Sequence, residues 1–365
     1  MASPTARLAK DYPWVKGPVI ASAPMRLIAL SSLAVEVSKA GGIGFIGASS
    51  DVSTLEGYFK DARQLLRSHH LQTANNTLPI GIGFLNWGAD LPLAIELLRK
   101  YRPAAAWFYA PYQISDLVAW TNETRQATGN ATKIWIQIGT VAEAVEAVEK
   151  CAPDVLVVQG VDAGGHGLNR GAGIISLLPE VHDTLAAKLK GREAEMPVLI
   201  AGGGIADGRG VAASIALGAA GVVLGTRYLA APESVITKGY RDEIIRASDG
   251  GPHTVRTSVY DTLRGTTEWP KRYGGRAVIN RSYEDAMAGM GDDENKRLYK
   301  EEEKKGDMGW GPSGRMTTYA GTVVGLVTKT QSAKEITEEV REETIAVLKR
   351  MHTIATDGWM AMSRL

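Results

Sequence analysis

A histidine, a set of glycine turns and a pair of glutamines carry the chemical content of this chain. His166 lies in the run Val157-Val158-Gln159-Gly160-Val161-Asp162-Ala163-Gly164-Gly165-His166-Gly167, flanked by glycines. An imidazole there can take or hold a proton near neutral pH. Glycine turns follow two later apolar runs. Gly202-Gly203-Gly204 comes after Val198–Ala201, and Gly225-Thr226 comes after Gly221–Leu224. Without a Cβ, backbone N–H groups at such turns can approach an anion closely. Gln137 and Gln159 each interrupt an otherwise apolar run. A buried amide needs a partner, and either a neighbouring backbone group or the edge of a heteroaromatic ring would supply one.

The elements that must position these groups are legible as short apolar runs alternating with amphipathic stretches. The runs are Val19–Ala23, Ile43–Ile46, Ile80–Phe84, Ala104–Phe108, Ile134–Ile138, Val155–Gln159, Val198–Ala201 and Gly221–Leu224. Helical stretches such as Ser31–Ala40, Leu91–Tyr101, Val141–Cys151 and Arg209–Leu217 lie between them. Continuous apolar runs suit strands covered on both faces. Eight such repeats predict a (β/α)8 TIM barrel, an α/β fold, with a doubly wound open sheet as the alternative.

In a barrel the chemistry belongs at the C-terminal strand ends, with phosphate in the loops after the seventh and eighth strands. Here those loops are the two glycine turns, and the helix starting near Arg209, preceded by Asp207, is expected to add its dipole. His166 is expected to close the sixth strand and to stand free over the mouth. Gly41-Gly42-Ile43-Gly44 precedes a strand, so it fails the context of a dinucleotide fingerprint and reads as a helix stop with a tight turn.

After Pro232 the pattern changes. Residues 233–320 are expected to form an inserted, mainly helical cap, with 1–232 and 321–365 making the barrel. The charge run Asp292–Lys305 reads as a solvated helix face, Gly306–Gly314 as an irregular turn, and Ser332–His352 as a long amphipathic helix packing back on the barrel. Tyr319, Tyr260 and Trp87 are pocket-lining candidates.

Composition sets limits. With 365 residues, 44% apolar and 22% charged, the chain can bury a full core. A net charge of +1 gives no argument for nucleic acid. The single cysteine, Cys151, excludes an intrachain disulfide or a cysteine cluster and reads as a buried small residue. No cluster of His, Asp and Glu has metal-ligand spacing. No apolar run reaches the roughly 20 residues that span a bilayer. The expected setting is cytoplasmic, or peroxisomal in a eukaryote, because the chain ends Ser363-Arg364-Leu365, one substitution from a peroxisomal address.

The segments Gln159–Gly167 and Ala201-Gly202-Gly203-Gly204-Ile205-Ala206-Asp207-Gly208-Arg209-Gly210, with Gly225-Thr226-Arg227 and Ala23-Pro24-Met25, resemble the nitronate monooxygenases, formerly 2-nitropropane dioxygenases. The resemblance spans roughly residues 18–232 and returns weakly at Tyr319–Leu326. It implies an FMN-dependent flavoprotein, an oxidoreductase converting alkyl nitronates, and neutral nitroalkanes, with O2 to a carbonyl compound and nitrite.

By that resemblance Ala23, Pro24 and Met25 border the flavin ring, and Gln137 and Gln159 contact the ring or its ribityl chain. Gly165, Gly203, Gly204, Gly225 and Thr226 complete the cofactor site, and His166 is the active-site base. The partners implied are a small-molecule substrate and O2, as monomer or homodimer. This chain departs from many members in continuing His166-Gly167-Leu168-Asn169-Arg170-Gly171, and in the stretch Gly81–Trp87. The flavin-containing enoyl-acyl-carrier-protein reductases share these motifs and are the alternative, with other FMN barrel oxidoreductases. A non-redox phosphate-binding barrel would leave Ala23-Pro24-Met25 unexplained.

Overall fold

The computed structural model describes residues 3–358. The C-terminal tripeptide lies outside the described residues. Among the described residues eleven strands occur in chain order: β1 Val19–Ser22, β2 Phe45–Gly47, β3 Leu78–Leu85, β4 Pro103–Tyr109, β5 Lys133–Ile138, β6 Val155–Gln159, β7 Gly165–Leu168, β8 Val198–Gly202, β9 Gly221–Leu224, β10 Thr254–Thr257 and β11 Tyr273–Val278. Eight of them form one parallel sheet in the order β1-β9-β8-β6-β5-β4-β3-β2. Its two edges meet through the parallel bridge Ala21↔Ile43, where Ile43 N donates to Ile20 O at 3.0 Å and Ser22 N to Ile43 O at 3.1 Å. The fold is therefore a (β/α)8 barrel, and each of the eight apolar runs became a barrel strand.

Helices start where the sequence caps them. The side chains of Asp90, Thr140, Asp207 and Ser332 accept from backbone N–H groups at the starts of Leu91–Tyr101, Val141–Cys151, Gly208–Ala216 and Ala333–Thr353. Gly41, at φ +83°, follows the helix Ser31–Lys39 as a stop residue. Cys151 is buried in the helix-facing core, and burial raises its thiol pKa.

Strand parity separates two cores. Residues such as Ile20, Ile46, Ile82, Leu156 and Val222 face the surrounding helices. Their neighbours Ala21, Phe45, Trp107, Trp135, Val157, Ile200 and Val223 fill the barrel interior. Small residues on β3 and β4 make room for the large ones: a Cβ at Gly81 would stand 2.2 Å from the Phe45 ring. Leu8, Tyr12 and Trp14 join this inner core from the strand N-terminal side. There the Trp135 indole donates to Tyr12 Oη at 2.7 Å, and the Trp14 indole to Gly42 O at 2.9 Å.

Between residues 233 and 320 helices predominate, among them Lys238–Arg246, Val259–Arg264 and Asp292–Glu303. The charge run is the last of these helices; Asn295 and Tyr299 are its buried positions. The same segment supplies β10 and β11, which take β7 as third member of an antiparallel sheet. The helix Ala333–Thr353 packs against Gly208–Ala216 and Ser31–Lys39.

Candidate active site

One cavity of about 680 Å³ opens at the C-terminal strand ends. The sequence-predicted residues converge on it. Ala23, Pro24 and Met25 line it from the end of β1, Gln137 from β5 and Gln159 from β6. Gly165, His166, Gly203 and Gly204 line it from the next loops, and Gly225 and Thr226 from the end of β9. Parity explains the glutamines. Gln137 is two residues beyond the inward Trp135, and Gln159 two beyond the inward Val157, so both amides enter the lumen above the packed layers. Neither amide bonds to a described protein group, so the neighbouring-backbone alternative does not hold.

The glycine turns have the conformation their composition requires. Gly203 and Gly204 adopt φ +99° and +74°, and a Cβ at Gly203 would lie 2.8 Å from Gly160 O. Among the described residues, the N–H groups of Gly203, Gly204 and Gly225 donate to no protein acceptor. They are open donors on the cavity, suited to an anion.

The helix beginning at Gly208 does not contribute as expected. The Asp207 carboxylate accepts from Arg209 N at 3.0 Å and Gly210 N at 3.1 Å, and Glu343 accepts from Gly208 N at 3.0 Å. Two carboxylates already satisfy that helix start, so its dipole is not free for a ligand. The Thr226 hydroxyl is partly committed as well, accepting from Gly321 N at 2.9 Å.

His166 differs from its expected placement in two ways. It does not close β6. The chain turns after Gln159, and His166 sits on β7, opposite Gly275 of β11. Nor does it stand free. Its Nε2 is 2.9 and 3.0 Å from the two Asp261 carboxylate oxygens, and the two side chains are only 12% and 7% exposed. The imidazole also stacks on Trp269, with centroids 3.7 Å apart and planes 2° apart. A carboxylate accepts, so Nε2 carries the proton, and Nδ1, which has no protein partner, is the open acceptor.

Asp261 is itself held. Thr266 Oγ1 donates to it at 3.1 Å and Tyr319 Oη at 3.3 Å. Burial and then the Asp261 charge raise the Tyr319 phenol well above its ordinary pKa, so it stays protonated as a donor. The Tyr319 ring fits because Gly275 lacks a side chain; a Cβ there would meet the ring at 2.6 Å. Tyr319 lines the cavity. Tyr260 instead lies in the core of the 233–320 segment, bonded to Val278 O at 2.9 Å. Trp87 packs on Trp269, 5.5 Å between centroids, behind the cavity wall.

The loop leading to His166 is clamped by Arg256 of β10. Its guanidinium donates to the carbonyls of Val161, Ala163, Gly165 and Gly274 at 3.2, 2.7, 3.0 and 2.6 Å. Burial, with Arg276 beside it, lowers its pKa to about 10, which leaves it charged at neutral pH. Sequence reading missed Asp261, Thr266, Trp269 and Arg256. They come from the segment after Pro232, 95 residues from His166 in the case of Asp261, and no spacing rule links them.

Such a cavity can bind an anionic group at the glycine turns, contact a polar ring edge through two amides, and move a proton at His166. Comparison with known proteins agrees on the fold and the family. The structure of FabK from Thermotoga maritima superposes with a TM-score of 0.69 at 22% identity, covering 95% of this chain and 98% of that one. A nitroalkane oxidase from Streptomyces ansochromogenes superposes at 0.67 and 22%, covering 94% and 99%. The nitronate monooxygenase of Metarhizium robertsii is 46% identical over 93% of this chain and 95% of its own length. That of Neurospora crassa is 38% identical over 94% and 93%. The nitronate monooxygenase family model matches residues 114–343, and with these relatives it shows that the chain belongs to the nitronate monooxygenase family.

Proposed function

We propose that this protein uses FMN and O2 to oxidise alkyl nitronates, and neutral nitroalkanes once their α-proton is removed, to a carbonyl compound and nitrite. The observation that carries the reading is that one cavity gathers His166, the unpartnered amides of Gln137 and Gln159, and the open N–H groups of Gly203, Gly204 and Gly225. These residues fit FMN. The open amides suit its phosphate, the glutamines its ring or ribityl oxygens, and Ala23-Pro24-Met25 an apolar border for the ring. The volume falls within the roughly 300–1,000 Å³ of cofactor and ligand pockets. When bound, FMN supplies the redox chemistry.

The protein supplies orientation and proton transfer. His166 Nδ1 takes the α-proton of a neutral nitroalkane while Nε2–H stays on Asp261, which fixes the tautomer and faces the positive ring that forms. The Trp269 face holds the ring plane and is favourable to a cation above it. A nitronate has no proton to lose, so for it His166 positions and stabilises the anion. We read residues 233–320 as the cap that shuts this site, with 1–232 and 321–365 as the barrel beneath. The Trp269, Trp310 and Tyr319 rings then exclude water from the reacting atoms.

The test is the visible spectrum of the purified protein, followed by anaerobic addition of propionate 3-nitronate. A yellow protein bleached by the nitronate and not by reduced nicotinamide is the expected result. Bleaching by reduced nicotinamide alone would move the assignment to a reductase. A colourless protein that FMN cannot reconstitute would end the flavin reading.

A further inference from the structure

Arg264 lines the same cavity, three residues beyond Asp261 on the helix Val259–Arg264. Its guanidinium carbon lies 5.4 Å from the centroid of Tyr319, whose hydroxyl touches Asp261 and whose ring is 5.5 Å from His166. The charge of Asp261 acts on Arg264 across space without a direct ion pair, its oxygens being engaged by His166, Thr266 and Tyr319. Among the described residues Arg264 makes no hydrogen bond or ion pair with any protein group. Its electrostatic neighbours besides Asp261 are Tyr319, Tyr299 and Tyr240, all lining the cavity. The other cations of the lining are placed differently. Arg26 donates its Nε to Ser49, and Lys300, exposed as Arg264 is, comes from the helix Asp292–Glu303 rather than from the helix that carries Asp261.

Arg264 is solvent-accessible and, among the described residues, makes no hydrogen bond or ion pair with the protein, so its guanidinium is available to an anionic ligand that enters the cavity beside His166 and Asp261. The guanidinium fork matches a planar group with two oxygens, bound through parallel hydrogen bonds. We propose that Arg264 is the specificity-determining residue of this site, binding a planar two-oxygen anion of the substrate. That anion is either the nitronate itself or a carboxylate at the far end of the same molecule. The inference rests on the function proposed above and names the charge class that the site selects.

The test compares the flavin-loaded wild type with Arg264→Gln and Arg264→Lys. Binding of nitrite and of butyrate, neither of which reacts, is measured by calorimetry. The KM is measured for propyl nitronate, for propionate 3-nitronate and for neutral nitropropane. Loss of the guanidinium is expected to weaken anion binding roughly ten- to hundredfold, the size of a lost charge-assisted pair, with Lys intermediate and neutral nitropropane unchanged. A nitronate-binding role raises the KM of both nitronates and weakens nitrite. A carboxylate-binding role raises the KM of propionate 3-nitronate alone and weakens butyrate. Anion binding and KM values unchanged in both variants overturn the proposal. If the wild type binds these anions through Arg264 yet oxidises no nitronate, the functional reading fails and the anion site stands.

Discussion

In the proposed function the hydrogen-bonded residues His166 and Asp261 have separate tasks, base and anchor of the base's Nε2–H. Asparagine in place of His166 keeps a polar group of similar reach and removes the base. Turnover of neutral nitroalkanes should then fall by about 10²–10⁴-fold, the usual contribution of a positioned base, with flavin retained. Preformed nitronates should suffer less. Equal losses on both substrate forms would remove proton abstraction from the role of His166. Asp261→Asn preserves shape and removes the charge that holds Nε2–H. It should lower kcat at least about tenfold with a smaller change in KM, since the asparagine amide can also present its N–H and unsettle the tautomer. An unchanged kcat would reduce Asp261 to a packing role.

At the scale of elements, β7 ties the segment that follows β6 to the three-stranded antiparallel sheet. It leaves the barrel as a loop after β6, yet its hydrogen bonds go to β11. Arg256 holds that segment by three carbonyls and β11 by a fourth, Gly274 O, so Arg256→Met should leave several buried acceptors unpaired. A loss of about 3 kcal/mol is expected, read by urea unfolding, with turnover falling further than stability explains. Stability within about 0.5 kcal/mol of wild type would show that the clamp is dispensable. Against the same loop, Gly203→Ala forces a side chain to φ +99° and brings its Cβ to 2.8 Å from Gly160 O. The strain should cost roughly 1–3 kcal/mol and displace the open amides, so FMN should wash out on dialysis. Full flavin retention would place the phosphate elsewhere.

The whole molecule rests on a barrel interior that is solid below and open above. Trp135, fully buried, sits 4.9 Å from the Phe45 ring and 5.7 Å from Trp107, and reaches Tyr12 of the N-terminal segment. Trp135→Ala removes one indole of that floor and one hydrogen bond. It should destabilise by about 3–5 kcal/mol in denaturant unfolding. Gln137, in the same strand two residues on, should lose its fixed position with it. A loss under about 1 kcal/mol would mean that the inner core collapses around the gap.

Much of this was legible in the chain. Strand runs buried on both faces are apolar throughout, so all eight could be read from local pattern. The period-two geometry of a strand then places Gln137 and Gln159 on the lumen side once Trp135 and Val157 face inward. Glycine at a strand end is likewise a local signal, because its backbone freedom acts within a residue or two. Three things depended on tertiary structure. The partners of His166 are contributed by residues far along the chain, brought close only when β11 pairs with β7 and β10 with β11. The helix start at Gly208 was read as a free dipole, but Glu343 of the final helix closes it. The unpaired state of Arg264 is a property of everything around it. Local sequence determines what a residue can offer and which way it points; only the packed fold decides what stands opposite, because contacts between distant segments follow from how the elements bury their apolar faces.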